Sequence, residues 1–268
     1  MEVGRIVPRR CVFCAAAGPL TNEHVIPDWI SPLFPGATAT VTTAKRDGTV
    51  NRYPLVVFDQ RVNAVCEKCN SGWMSGLERS VAPFLGPMLT ESKVTSLDKE
   101  RQQLLATWTV KTVFMLELTQ SSERIIPNSE YHRFHNVKQP PGEYFVWLGH
   151  RSALSDPDRA GNRLVWFIQE PISRIRVQGD ETAIAAAQQS FVPGKVVFRV
   201  TLSIGHVVFQ VFGHNSALYV DIDNTGTPFA DSVDTVWPVR ELWTWPPHKP
   251  IESVGGVQAL HNAFNPSG

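Results

Sequence analysis

The chain has 268 residues, 43% of them hydrophobic, and its 25 basic side chains balance 25 acidic ones. This balance argues against a protein that binds nucleic acid avidly through its overall charge. The sequence contains neither an apolar run of about 18 residues nor a charged-then-apolar leader. We therefore expect a cytoplasmic protein without a membrane partner.

The four cysteines form two pairs of identical spacing, Cys11 with Cys14 and Cys66 with Cys69. A Cys-x2-Cys pair makes a turn whose two sulfurs can face one tetrahedral ion, and two such pairs fill a structural zinc site with no open position. Two redox dithiols or two disulfides are the alternatives, but a reducing compartment favours thiolates as metal ligands. The spacing predicts one bound zinc ion.

The region between the two cysteine pairs begins with an extended segment. Arg5, Arg9 and Arg10 lie beside the first pair, where they could contact a nucleic-acid backbone or simply form a soluble basic arm. Residues 20–29 read as a strand that ends in a loop because Pro27 prevents a helix. The neighbouring residues Glu23 and His24 are therefore expected near the end of a strand.

A hairpin and a helix are predicted next. Residues 38–60 are rich in β-branched side chains and contain Asp47-Gly48 as a turn signal, so the hairpin is a candidate insertion. Residues 70–85 show apolar side chains at helical spacing, ended by Pro83 or shortly after. Asn70 at the start of this helix could face a phosphate or a metal-bound anion, or it could serve as an N-cap, and the two roles are compatible.

The remainder of the chain predicts one further long helix and several strands. The helix covers residues 96–118, with Asp98 and Glu100 in its first turn and a core-facing apolar stripe. Strands are expected at 144–148, 164–170 and 172–177, and a hairpin at 196–212 that turns near Gly205. A short helix at 180–189 between strands suggests an α+β sheet covered on one side.

Two other groups of residues favour structural roles. Three tryptophans, Trp237, Trp243 and Trp245, lie among prolines near the end of the chain. They could stack on nucleic-acid bases, but aromatic side chains more commonly anchor a chain end to the core of the same protein. His132 and His135 lie three residues apart without an acidic partner, which favours a surface position.

The order of motifs around the cysteine pairs resembles a known enzyme family. Three features follow one another: a Cys-x2-Cys pair, then Glu23 and His24 with an apolar-apolar-Pro run, then a second Cys-x2-Cys pair followed by Asn70. Together they resemble the HNH endonucleases, in particular the zinc-bearing branch that includes phage recombination endonuclease VII. The resemblance covers about the first third of the chain. It implies an N-terminal zinc-bound ββα-metal finger in residues 1–92. An α+β domain that selects substrate or regulates activity is expected in residues 93–268.

The resemblance also implies a division of chemical roles. His24 would be the general base, since a neutral imidazole can accept a proton at cellular pH. Glu23 and the amide oxygen of Asn70 would be ligands of a catalytic Mg²⁺ or Mn²⁺ ion, because both are hard oxygen donors. The zinc held by the four cysteines would be structural. The expected partner is nucleic acid, with DNA favoured over RNA.

Three departures from the family pattern bear on activity. The acidic ligand is usually Asp, and Glu23 is one methylene longer. An Asn normally braces the backbone around the catalytic His, but Arg61 occupies that position and the nearest Asn is Asn63. Consecutive residues of a regular strand point to opposite faces, so Glu23 and His24 can converge only if the strand bulges or ends there.

These departures keep two other functions open. One is a catalytically silent zinc module that binds nucleic acid or protein. The other is a regulated nuclease effector, for instance in phage defence, in which the second domain senses a ligand. The endonuclease is the function that the motif favours.

Overall fold

The chain forms a mixed α+β fold in which a five-stranded antiparallel sheet and three two-stranded sheets pack with helices. The computed structural model describes residues 9–35, 38–44, 50–56, 58–119, 124–152, 165–171, 197–214, 228–252 and 254–263. The strand expected at 172–177, the helix expected at 180–189, the Asp47-Gly48 turn and Arg5 lie outside the described residues.

The described strands and helices are numbered in chain order. The strands are β1 (Leu20–His24), β2 (Thr38–Ala44), β3 (Val50–Val56), β4 (Arg61–Cys66), β5 (Thr95–Leu97), β6 (Phe145–His150), β7 (Val165–Pro171), β8 (Val197–Ile204), β9 (Val207–His214), β10 (Val233–Trp237) and β11 (Trp243–Trp245). The helices are α1 (Ser75–Glu91), α2 (Lys99–Glu117), α3 (Asn128–Val137) and α4 (Val254–Ala263).

The N-terminal part contains two antiparallel strand pairs, one inserted within the other. β1 pairs with β4, and the hairpin of β2 and β3 lies between them in sequence, as predicted for residues 38–60. A 3₁₀ helix at Asp28–Leu33 follows β1, and a wide π-type turn at Lys68–Met74 joins β4 to α1. The order of these elements is therefore strand, insertion, strand, helix.

α1 is longer than the sequence indicated, because it continues through Pro83 and Pro87 to Glu91. Proline removes one backbone hydrogen bond within a helix. Here the carbonyl released by Pro83 belongs to Arg79, and both residues are exposed, so water can satisfy it. The opposite face of α1 is buried through its apolar side chains, which stabilises the helix despite the prolines. The predicted end near Pro83 was therefore wrong.

α2 forms the centre of the core. The Asp98 side chain accepts a hydrogen bond from Arg101 N at 2.8 Å and caps the helix, which therefore begins at Lys99. Ser96, the predicted start, instead lies in β5, which pairs with β11. Trp108 of α2 packs between the rings of Trp29 and Phe209, so the core is continuous from the N-terminal region to the large sheet.

The large sheet has the strand order β10-β6-β9-β8-β7, with every neighbouring pair antiparallel. The predicted hairpin is confirmed, because β8 and β9 turn at Gly205 and His206. The expectation of one covered face was wrong, since Phe198 and Arg199 of β8 point to opposite faces and both are buried. α2 packs near β9 and α4 packs on β8.

The end of the chain is anchored as expected. Trp245 is fully buried, and β11 holds it against β5. The division of the chain at residues 92 and 93 stays a prediction. In the part of the chain that the structure describes, no helix has the length and apolar character to cross a membrane.

The turn between β8 and β9 contacts the end of α1 through backbone atoms. His206 N donates to Leu89 O at 3.0 Å. Gly205 has a φ of +55°, and a Cβ at this position would lie 2.9 Å from Phe34 Cζ and still closer to Leu89 O. Glycine is therefore required both by its backbone conformation and by the close approach of the helix.

We expect Gly205→Ala to lower the free energy of unfolding by about 2 kcal/mol or more, because the left-handed conformation and the contact with Leu89 O both become unfavourable. Urea denaturation of the two proteins measures the difference. Gly142→Ala is the matched control, since a Cβ there meets no atom within 4 Å. Equal stability of the Gly205 and Gly142 variants would contradict the proposed role of this contact.

Candidate functional site

The four cysteine thiols converge on one point. The sulfur atoms of Cys11, Cys14, Cys66 and Cys69 all lie within 4.8 Å of one another, and those of Cys14 and Cys66 are 3.6 Å apart. Tetrahedral zinc with Zn–S bonds of about 2.3 Å places its sulfurs about 3.8 Å apart. The cluster therefore has the donor set and the spacing to hold a zinc ion.

Local hydrogen bonds shape the first cysteine pair and attach it to β4. Cys11 N donates to Ala16 O at 3.0 Å, and Ala15 N donates to Cys11 O at 2.9 Å with Ala15 at a φ of 59°. Val12 N donates to Ala64 O at 2.9 Å. The first pair is thereby fixed beside the strand that ends at Cys66.

The thiols differ in their surroundings. Burial raises the pKa of Cys69 far above its ordinary value. Burial also acts to raise the pKa of Cys11, but hydrogen bonds from the backbone of Cys14, Cys66 and Phe13 outweigh it and lower the pKa. A bound zinc cation stabilises thiolates and would offset the cost of burying them.

A register shift in the β1–β4 pair positions the predicted acidic and imidazole groups. Thr21 lies opposite Val65 and Glu23 lies opposite Val62, so β4 has one more residue than β1 in this interval. β1 then ends at His24. Of the two alternatives that the sequence required of β1, the strand end at His24 is present, while the extra residue of the bulge lies in β4.

Asn63 lies within the bulge and braces β1. Its Nδ2 donates to Leu20 O at 3.1 Å and to Thr21 O at 3.2 Å, while its Oδ1 accepts from Arg9 Nη1 at 3.2 Å. Asn63 therefore braces the start of β1, at Leu20 and Thr21, and a brace around His24 itself stays a prediction. Arg9 and Asn63 are both exposed at this contact.

Glu23 is partly buried in a group of polar side chains. Burial raises the pKa of its carboxyl, the charge of Lys111 opposes this increase and the charge of Glu78 adds to it. A hydrogen bond from Asn70 and the charge of His24 lower the pKa, and the net direction is upward. Glu23 and Asn70, which were assigned to one site from sequence, thus lie near each other, and Asn70 is hydrogen-bonded to Thr21 of the strand that carries Glu23.

Asn70 occupies the wide turn before α1. Its Nδ2 donates to Thr21 Oγ1 at 3.1 Å, and its backbone oxygen accepts from Ser75 N. The helix-capping positions are Glu67 for the wide turn and Met74 for α1. The interpretation of Asn70 as an N-cap is therefore wrong. The side chain connects α1 to β1 instead.

His24 lies between two carboxylates. Its Nε2 is 3.7 Å from Asp28 Oδ1 and 3.6 Å from Asp59 Oδ1, and only 15% of its side chain is exposed. Asp59 Oδ1 is also 3.3 Å from Arg61 Nε. Arg61, which stands where the family has Asn, is therefore linked to His24 through Asp59.

Four residues near the predicted site had no role in the sequence analysis: Asp28, Asp59, Glu78 and Lys111. Asp28 follows His24 by four residues, a spacing that could have indicated it. Lys111 and Glu78 gave no signal, because their proximity depends on the packing of α1 against α2. His132 and His135 lie on α3, and no metal-ligating cluster among the described residues includes them.

Comparisons of the chain with protein-family models, with curated proteins and with solved structures found no match.

We expect one zinc ion per chain, and we expect Cys66→Ser to lose it and to unfold the region around both cysteine pairs. Metal analysis of the purified protein and hydrogen exchange across residues 9–35 and 58–74 measure these effects. Asn70→Ala is the control, because it changes the residue next to Cys69 without removing a thiol. Purified protein without zinc, or a Cys66→Ser variant with unchanged zinc and exchange, would contradict the assignment.

Proposed function

We propose that the protein is a metal-dependent endonuclease of the HNH type that hydrolyses phosphodiester bonds of nucleic acid, with DNA the favoured substrate. The observation that carries this proposal is that Glu23 and His24 end the strand to which the side chain of Asn70 is hydrogen-bonded through Thr21, beside a four-cysteine cluster. The order of β1, β4 and α1 around this site supports a ββα-metal finger. The division into a finger and an α+β domain belongs to the same proposal.

His24 is the general base in this mechanism. The carboxylates of Asp28 and Asp59 both lie on the Nε2 side of the ring, and negative charge there favours a proton on Nε2. Nδ1 is then the nitrogen that accepts a proton from water. Asp59, held by Arg61, thus selects the tautomer in which His24 can act as a base.

Glu23 and Asn70 are the residues that would hold the catalytic cation. A carboxylate and an amide oxygen are hard donors of the kind that Mg²⁺ and Mn²⁺ prefer. Because Asn70 uses its Nδ2 to contact Thr21, its Oδ1 is not engaged in that bond. A cation bound there supplies positive charge that neutralises the charge developing on the phosphate.

The zinc site has a structural role in this proposal. Four thiolates complete a tetrahedral shell and leave no position for water or substrate. The cluster joins the turn at Cys11 to the end of β4, which pairs with the strand that carries Glu23, and to the turn before α1, which carries Asn70. Its contribution is to hold these elements together.

A second candidate is the catalytically silent zinc module. The observation that favours it is the partial burial of Glu23, because burial raises the pKa of its carboxyl and so opposes the charged form that a cation ligand must provide. Such a module would keep its zinc and bind nucleic acid or protein without cutting. The nuclease and the silent module therefore differ in whether they cleave nucleic acid, while both would contain zinc.

We expect cleavage to need an exchangeable divalent cation in addition to zinc. EDTA at a level that leaves the cysteine-bound zinc in place should stop the cutting of plasmid DNA, and added Mg²⁺ or Mn²⁺ should restore it. Single-stranded DNA and RNA are tested in parallel to define the substrate. Undiminished cleavage after this treatment would show that the chemistry needs no second cation.

We expect His24→Ala to slow cleavage by about a hundredfold or more, because proton transfer to a positioned base contributes about that factor. Zinc content and nucleic-acid affinity should stay close to those of the wild type. His248→Ala is the matched control, since His248 is exposed and lies outside the site. Cleavage rates under single-turnover conditions measure the effect.

Two results would defeat the proposal. One is a zinc-loaded wild-type protein that cuts no nucleic acid with any divalent cation tested, which would favour the silent module. The other is a His24→Ala protein that cuts at the wild-type rate, which would place the general base elsewhere.

A further inference from the structure

The four cysteine side chains differ in their access to solvent. Cys11 and Cys69 are buried, with 1% and 2% of each residue exposed, whereas Cys14 and Cys66 are half-buried. A zinc ion bound by the cluster would keep all four sulfurs as thiolates, and the thiolate is the form of cysteine that reacts with oxidants. The susceptibility of a thiolate to oxidation also increases with its exposure. An oxidant in the solvent should therefore reach Cys14 and Cys66 before the other two.

The two accessible sulfurs are also close together. Cys14 Sγ and Cys66 Sγ are 3.6 Å apart, while the two sulfurs of a disulfide are about 2.05 Å apart. The sulfurs need to approach each other by about 1.5 Å, a displacement that rotation of the two side chains can supply. Cys14 belongs to the first Cys-x2-Cys pair and Cys66 to the second. A disulfide between them would therefore connect the N-terminal turn, residues 11–16, with the end of β4.

This disulfide would replace only part of what zinc holds together. It keeps the N-terminal turn attached to β4, and the hydrogen bond from Val12 N to Ala64 O at 2.9 Å reinforces that attachment. Cys69 lies in the wide turn Lys68–Met74 and takes no part in the disulfide. Oxidation would therefore release the wide turn, which carries Asn70, from the cluster.

We propose that Cys14 and Cys66 form a peroxide-sensitive switch, in which their oxidation to a disulfide releases the bound zinc ion and leaves Cys11 and Cys69 as thiols. The inference depends on the zinc assignment and does not depend on whether the protein cuts nucleic acid. Its chemistry uses the sulfurs of the cluster and a hydroperoxide, for which hydrogen peroxide is the probe.

The reaction has two steps, which together transfer two electrons from the sulfurs to the peroxide. In the first step one thiolate attacks a peroxide oxygen, the O–O bond breaks, and a sulfenic acid and a hydroxide ion form. In the second step the other thiolate attacks the sulfenic sulfur, the S–S bond forms, and a second hydroxide ion leaves. Two remaining thiolates are too few for a four-ligand zinc site, so Cys11 and Cys69 take up protons as the metal leaves.

The first test maps the disulfide in full-length, zinc-loaded protein treated with hydrogen peroxide. Free thiols are blocked with N-ethylmaleimide in denaturant, and the protein is cut without reduction by trypsin after Lys68 and by chymotrypsin after Phe13. These cuts separate the two cysteines of each motif, so each possible disulfide has a distinct mass. We expect a disulfide between Cys14 and Cys66, blocked thiols at the other two cysteines, and about one zinc ion released for each disulfide.

The second test replaces one thiol with histidine, because sites with three cysteines and one histidine also hold structural zinc. Cys14→His removes one half of the disulfide, so peroxide should release zinc about tenfold more slowly than from the wild type. Cys69→His is the matched control, since it also changes the second cysteine of a motif but retains both Cys14 and Cys66. Its zinc release should stay within about threefold of the wild-type rate. A chromogenic zinc indicator measures the three rates.

Four results would overturn the inference: zinc-loaded protein that keeps its metal in peroxide, zinc release without a disulfide, a disulfide within one Cys-x2-Cys motif, or equal rates of zinc release from Cys14→His and the wild type. If either variant does not retain zinc, the disulfide map of the wild type decides alone. Cleavage of nucleic acid is not a readout in either test. Failure of the proposed nuclease therefore leaves these outcomes unchanged, and failure of the switch leaves the nuclease unchanged.

Discussion

The pairing of β1 with β4 is the constraint on which the candidate site depends. β1 carries Glu23 and His24, while β4 ends at Cys66 and leads into the turn that carries Asn70. The bulge between the strands is filled by Asn63, whose amide donates to two carbonyls of β1. Any change that separated these strands would separate the cysteine pairs and the polar residues together. The metal cluster and the polar site therefore belong to one cooperative unit.

The sequence predicted the features that local chemistry determines. Two Cys-x2-Cys pairs indicated the convergence of four sulfurs, because each short turn fixes its own geometry. The β8–β9 hairpin was found because its strands alternate around Gly205. The start of α2 was placed three residues early, at Ser96, because Asp98 was assigned to the first turn although it caps the helix. The end of β1 at His24 was one of the two features that the convergence of Glu23 and His24 required.

Features that depend on packing between distant segments could not be predicted. Pro83 indicated the end of a helix, but the buried face of α1 stabilises the helix beyond it. Lys111 lies in an apolar stripe that is typical of a core helix, and Glu78 lies in a different helix, so neither residue indicates the other. The ion pair exists only because α1 packs against α2. The position of Asp59 beside His24 likewise depends on how the insertion returns to β4.

The contact of Gly205 and His206 with Leu89 has a mechanical consequence. α1 has 17 residues and so extends about 25 Å. Leu89, near the last residue of α1, accepts a hydrogen bond from the turn of the large sheet. At the other end the backbone departs from helical geometry at Gly72, between Asn70 and Ser75. The stiff part of α1 therefore extends from the β8–β9 turn to Ser75, and Gly72 is the bend that separates it from Asn70 and β1.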